Sequence, residues 1–390
     1  MHKSVSISLL CFLALRTSLS AQESFRGSPP SLSEADTISA LKTELEKLAA
    51  DDQFSGAVLI AKAGQPIFQT AYGYADREKK ILNTVETKFG FGSMGKMFTG
   101  VAVMQLVQAG KIQIDDPIAK YLPDYPNKEV TPVTIHQLLT HTGGTGDIFG
   151  PEFDARRLEL KELSDYVALY GNRGLRFKPG SKWEYSNYGM LLLGRIVEVT
   201  SGQSYYDYVR DHIFKPAGMK STDNLPEEGV QGLAMGYTRG GFGGPGPGPG
   251  PGPAQRERSP GSADGPLRSA ADLRPYRGTS AGGGYSTIGD FLKFVAALTS
   301  DSLINAHYTE LVTAGKVVTP RPGTKYAYGF EDETSPVGVR NFGHGGGAPG
   351  TNGVLSVFPV SEYVVVVLAN LDPPAALKVA RFVTDRLPVK

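Results

Sequence analysis

The sequence predicts an α+β protein: an antiparallel sheet flanked by N- and C-terminal helices, joined to a mostly helical region, with an active site at their junction. Three observations carry this. Apolar runs Phe54–Lys62 and Pro66–Tyr74, split by Ala63-Gly64-Gln65, read as a hairpin near the start. Val354–Phe358 and Tyr363–Ala369 flank Pro359-Val360-Ser361-Glu362 as a second hairpin near the end. Between them, from Ser93 to about Phe214, the pattern is mostly helical, with loops at Pro117, Pro123, Pro132 and Gly143-Gly144.

The elements follow in order. Lys3, the apolar run Val5–Leu15 and Ser18-Leu19-Ser20-Ala21 predict a signal peptide over residues 1–21, and so an exported protein, periplasmic or extracellular. Cys11, the only cysteine, lies inside that segment, so the processed chain has no disulfide and relies on packing. Residues 22–33 are polar and Pro/Ser-rich, a flexible tether, and residues 34–388 form the folded unit. Ile38, Leu41, Leu45 and Leu48 give residues 34–50 one apolar helical face. Residues 240–265 hold the alternation Pro245-Gly246 through Pro253. It lacks collagen's three-residue period and has no apolar side chains to bury, so a disordered surface insert is expected. A last helix runs from about Pro374 to Leu387.

Composition narrows the function classes. Net charge is +1 and 40% of residues are hydrophobic, which suits a soluble globular protein. There is no basic stripe interleaved with aromatics, so no nucleic-acid partner is expected. No run beyond the leader nears the roughly 20 apolar residues of a membrane span. Oligomeric state is not encoded in any pattern found.

Three short runs carry chemistry. In Ser93-Met94-Gly95-Lys96 a hydroxyl and an amine stand three positions apart, ahead of the apolar stretch Met97–Val107 and a capping Gly110. On a helix such residues share a face, so Lys96 can lie beside Ser93 and activate a weak nucleophile. Chance alone gives about 1.5 matches to this pattern in such a chain. The second match, Ser39 and Lys42, lies on the polar face of the first helix. Tyr185-Ser186-Asn187 follows the turn Pro179-Gly180 and precedes the apolar helix Met190–Val197, a junction that exposes polar groups. A decoy, Tyr170-Gly171-Asn172, lacks that context. Finally, Phe342-Gly343-His344-Gly345-Gly346-Gly347 leads into the last hairpin, with glycines that let backbone approach a ligand.

With Leu138-Leu139-Thr140-His141-Thr142-Gly143-Gly144 and Gly282-Gly283-Gly284-Tyr285-Ser286-Thr287, these runs resemble the serine hydrolases related to class C β-lactamases and penicillin-binding D-alanyl-D-alanine carboxypeptidases, over roughly residues 35–388. The resemblance implies a β-lactamase/transpeptidase-like fold and an acyl-enzyme serine hydrolase without cofactor or metal. Its substrates would be esters, peptides or β-lactam-like molecules. It implies Ser93 as nucleophile, Lys96 and Tyr185 as its proton-handling partners, and Asn187 on the acyl side of the substrate. The backbone N–H groups of Ser93 and Gly347, beside Gly346, would form the oxyanion hole. Which of Lys96 and Tyr185 is the acylation base stays open; for the phenol to serve, cationic Lys96 must lower its pKa.

His344 stands where relatives carry a lysine. Largely neutral at pH 7, it should hold a substrate carboxylate weakly, which predicts an esterase or peptidase-like hydrolase with poor β-lactamase activity. His141 reads as a loop histidine bonding backbone. A metal hydrolase is disfavoured because His136 and His141, the closest histidine pair, miss the i, i+4 spacing. A non-catalytic penicillin-recognising binder or scaffold is the other reading.

Overall fold

The computed structural model describes residues 31–240, 265–335 and 338–389. The signal segment 1–21, most of the tether and the Pro-Gly insert lie outside the described residues.

Helix α1 (Glu34–Ala50) starts at Ser33, whose hydroxyl accepts the Asp36 N–H at 3.1 Å, and buries Leu41, Leu45 and Leu48 on one face. It leads to β1 (Gly56–Lys62) and β2 (Gln65–Tyr72), joined through Ala63 and Gly64, whose φ angles of 47° and 75° make the tight turn. Six more strands come from the C-terminal part: β3 (Val317–Val318), β4 (Thr324–Tyr326), β5 (Glu331–Thr334), β6 (Arg340–Ala348), β7 (Thr351–Phe358) and β8 (Tyr363–Ala369). They form one antiparallel sheet in the order β2-β1-β8-β7-β6-β5-β4-β3, so the first and last hairpins lie side by side.

Strand alternation splits the core in two. On β1, Val58 and Ile60 face one apolar cluster while Ala57, Leu59 and Ala61 face the other. On β8, Val365 and Val367 join the first cluster, and Val364, Val366 and Leu368 the second. Such burial on both faces explains why β8 reads as a continuous apolar run. The first cluster is closed by α1 and by the C-terminal helix, the second by the helical region. That region contains α2 (Lys96–Gln108), α3 (Asn187–Ser201) and α4 (Ile288–Thr299), and the C-terminal helix is α5 (Ala375–Thr384). Each buried Val or Leu contributes about 1.5–3 kcal/mol, enough to make the central strands the rigid floor of the site.

Two features differ from the sequence reading. The helix expected from Ser93 starts instead at Lys96, behind a 3₁₀ turn over Gly92–Gly95. The glycine run around His344 is a full strand, β6, rather than a lead-in to the hairpin.

Candidate active site

Phe91 anchors the turn that carries Ser93. Its ring is fully buried and packs edge-on to Phe98 and Phe291, with centroids 5.7 and 5.9 Å apart. Gly92 then adopts φ 54°, where a side chain would be strained. A 3₁₀ helix has three residues per turn, so positions i and i+3 eclipse. Lys96 therefore sits directly beside Ser93, with Nζ 3.2 Å from Oγ.

The Lys96 amine is fully buried. Nζ also donates to Asn187 Oδ1 at 2.7 Å and to the Ala281 carbonyl. Burial pushes its pKa down to about 7, partly offset by the charge of Asp147. Both flanking groups only accept hydrogen bonds, so they take two N–H bonds. In the neutral amine the remaining direction, toward Ser93, holds the lone pair.

Asn187 is placed by a stitched helix start. Ser186 caps α3, accepting the Gly189 N–H at 2.9 Å and bonding the Gly146 carbonyl and the Thr145 hydroxyl. Asn187 follows as the first residue of α3. Its Nδ2 donates to Asp147 Oδ1 at 2.8 Å, which turns its oxygen toward Lys96. Sequence reasoning missed Asp147; a lone carboxylate closing the glycine-rich loop Gly143–Gly146 was the available signal.

Tyr185 lies just before that cap. Its ring packs 4.4 Å from His141, Lys96 Nζ stands 4.7 Å from its centroid, and its side chain hydrogen-bonds Ser93. The expected lowering of its pKa by Lys96 does not occur. Burial pushes the phenol well above its ordinary range, the Ser93 bond offsetting only part of this. At neutral pH the phenol is protonated and the amine is the group near its midpoint.

His141 is buried with φ 59°, and its Nδ1 accepts the Ser186 N–H at 3.3 Å, so it bonds backbone as read. His344 lies beside the reacting groups, its ring 6.5 Å from that of Tyr185 between centroids. Its Nδ1 donates to the Gly345 carbonyl, which leaves Nε2 to accept the Tyr326 hydroxyl at 3.0 Å. Burial pushes its pKa down to about 3, so the ring is neutral and both nitrogens are engaged. It lines a separate cavity of about 90 Å³ beside Arg321 and α5.

Strand β6 passes against the Ser93 turn with glycine backbone alone. A Cβ on Gly346 would lie 2.0 Å from the Phe91 carbonyl oxygen and 3.1 Å from Ser93 N; one on Gly92 would lie 2.8 Å from Gly347 N. The Ser93 and Gly347 amides are thereby neighbours. Both residues, with Asn187, line a cavity of about 130 Å³. Ile148, Phe149, Phe153 and Tyr166 form an apolar wall, and Arg274, paired with Glu227 at 2.5 Å, stands elsewhere in the lining. Ser39 and Lys42 lie exposed on α1, and Tyr170 ends the helix Leu163–Tyr170. Among the described residues no group of three or more His, Cys, Asp or Glu is placed to hold a metal, and no helix is long and apolar enough to cross a membrane.

A mixed fold with a Ser-x-x-Lys turn against a glycine strand defines the β-lactamase/transpeptidase-like class. The chain belongs to the beta-lactamase family, whose model matches residues 41–388; members of the family are serine hydrolases. A penicillin-binding protein of Bacillus subtilis (strain 168) is 34% identical over 206 residues, covering 50% of this chain and 45% of that one. The chain thus spans less than half of that relative's length. PbpX of the same organism is 30% identical over 336 residues, covering 83% of this chain and 72% of PbpX. The crystal structure of a penicillin-binding protein from Bacillus halodurans superposes with a TM-score of 0.73 at 30% identity, over 85% of this chain and 96% of the other. The fold is shared also with D-amino acid amidase from Ochrobactrum anthropi, TM-score 0.73 at 23% identity, over 90% of this chain and 98% of that one.

Proposed function

We propose that this protein is an exported serine hydrolase that forms an acyl-enzyme on Ser93 from ester or amide substrates, as an esterase, D-amino-acid peptidase or weak β-lactamase. One observation carries the reading: a buried amine with a pKa near 7 faces the Ser93 hydroxyl at 3.2 Å, its other directions filled by Asn187 and Ala281.

In this mechanism Ser93 Oγ attacks the carbonyl carbon while its proton passes to the Lys96 lone pair. The carbonyl π electrons move onto oxygen, and the Ser93 and Gly347 N–H groups hold that oxyanion. Collapse expels the alcohol or amine, which takes a proton from the Tyr185 phenol; Lys96 re-protonates Tyr185. Water then attacks the ester and gives a proton to the same amine; as the intermediate collapses and the acid leaves, Lys96 returns that proton to Ser93 Oγ, restoring the hydroxyl and the neutral amine. Asn187 keeps Lys96 aimed, and its second Nδ2 hydrogen is available to the acyl side of the substrate. The wall of Ile148, Phe149 and Phe153 suits an apolar acyl group.

A fluorophosphonate probe should label the protein on the Ser93 peptide, and p-nitrophenyl acetate should turn over. Labelling without turnover would support the binder instead. N-terminal sequencing of the processed protein should begin after Ala21. Benzylpenicillin should be hydrolysed far more slowly than simple esters, because His344 is neutral and occupied where a cation would grip the carboxylate. Penicillin turnover at the rate of a dedicated β-lactamase would refute that specificity.

A further inference from the structure

Asn352 is fully buried on β7, and its amide is used at both ends. Nδ2 donates to the Gly346 carbonyl oxygen at 2.7 Å. Oδ1 accepts the N–H groups of Ala376 at 2.8 Å and Leu377 at 3.2 Å, first-turn donors of α5 that have no partner within their own helix. This one side chain therefore ties a strand carbonyl to a helix start.

The tied carbonyl belongs to the same peptide unit as the Gly347 N–H. A trans peptide is planar, and its C=O and N–H point to opposite sides. Fixing the Gly346 oxygen from β7 therefore aims the Gly347 N–H the other way, toward the turn where Gly92 and Ser93 lie. Gly345, Gly346 and Gly347 have no side chains whose packing could set this plane. We propose that Asn352 is the positioning residue of the oxyanion hole, using the N-terminus of α5 as its anchor to hold the Gly347 N–H on the reacting oxygen. The inference rests on the acyl-enzyme reading of Ser93.

Asn352→Asp separates the two ends of the amide. One carboxylate oxygen still accepts from α5, where a helix N-terminus favours negative charge. The other replaces the donor with an acceptor and repels the Gly346 carbonyl. At pH 8 the variant should keep its melting temperature within a few degrees and its KM within about twofold, while kcat falls roughly 10- to 100-fold. A group that acts only as the transition state develops changes kcat in this way. Asn352→Ala, which loses the helix bonds too, should melt lower and show a similar fall in kcat. A folded Asn352→Asp with wild-type kcat would overturn the proposal, as would kcat and KM moving together. If the Asp variant melts lower, affinity for a boronic acid relative to substrate, measured below its melting point, decides: an unchanged ratio refutes positioning. Ser93→Ala is the control. If it stays active, the acyl-enzyme reading fails; if it is inactive while Asn352→Asp is active, only the positioning role fails.

Discussion

Lys96→Met lowers kcat/KM on simple esters by roughly 10²- to 10⁴-fold, the contribution of a positioned proton acceptor. Methionine keeps the length of the side chain in a buried site but offers no titrating nitrogen. The pH profile makes the prediction specific. Burial holds the folded amine at about 7 against a model value of 10.5, and only the neutral amine accepts the Ser93 proton. Wild-type kcat/KM should therefore rise about tenfold per pH unit below 7 and level off above it. His344, held down at about 3, is neutral through that window and adds no second step. The rise should vanish in Lys96→Met but survive in Tyr185→Phe, because the phenol is protonated throughout. A folded Lys96→Met that keeps both rate and profile would move the base to Tyr185. Stability has its own signature. Between about pH 7 and 10.5 the unfolded chain binds a proton at Lys96 that the folded chain does not, so this group makes stability rise with pH. Guanidinium unfolding at the two ends of that window should show the rise in the wild type and its loss in the variant.

The sequence makes the outline of this site legible because its chemistry is local. Ser93 and Lys96 are three apart, and Ser186 announces a capped helix with Tyr185 and Asn187 at its mouth. Both hairpins and the first and last helices follow from alternation and apolar periodicity over long runs. What the sequence hides depends on distant partners. β6 looks unlike a strand because glycine is depleted in strands, and its glycines are there for the approach of the Phe91–Ser93 backbone rather than for the sheet. The direction in which Tyr185 titrates depends on burial, which letters do not report, so a nearby cation alone was a poor guide. His344 turns inward because Tyr326, eighteen residues earlier, supplies a hydroxyl there. Asn352 left a readable trace: a lone amide before the apolar run Val354–Phe358 needs buried partners.

Gly346→Ala tests whether that close approach is what the site needs. The new methyl would stand 2.0 Å from the Phe91 carbonyl oxygen, 3.0 Å from its carbon and 3.1 Å from Ser93 N. All three are backbone atoms, so no side-chain rotation relieves the overlap. β6 or the 3₁₀ turn has to retreat by roughly 1.4 Å to reach an ordinary contact, and overpacking of this kind costs about 1–3 kcal/mol. The retreat separates the Gly347 N–H from Ser93, so kcat should fall on the order of 10²- to 10³-fold, the loss seen when one oxyanion donor is removed. Gly345→Ala is the matched control one position away. Its methyl would meet only the Gly353 carbonyl oxygen at 3.8 Å, an ordinary contact, and the variant should keep turnover near wild type. Steady-state kinetics on both proteins, each checked by its melting temperature, reads the difference. Equal activity in the two variants would mean that the contact between β6 and the Ser93 turn does not set the oxyanion geometry.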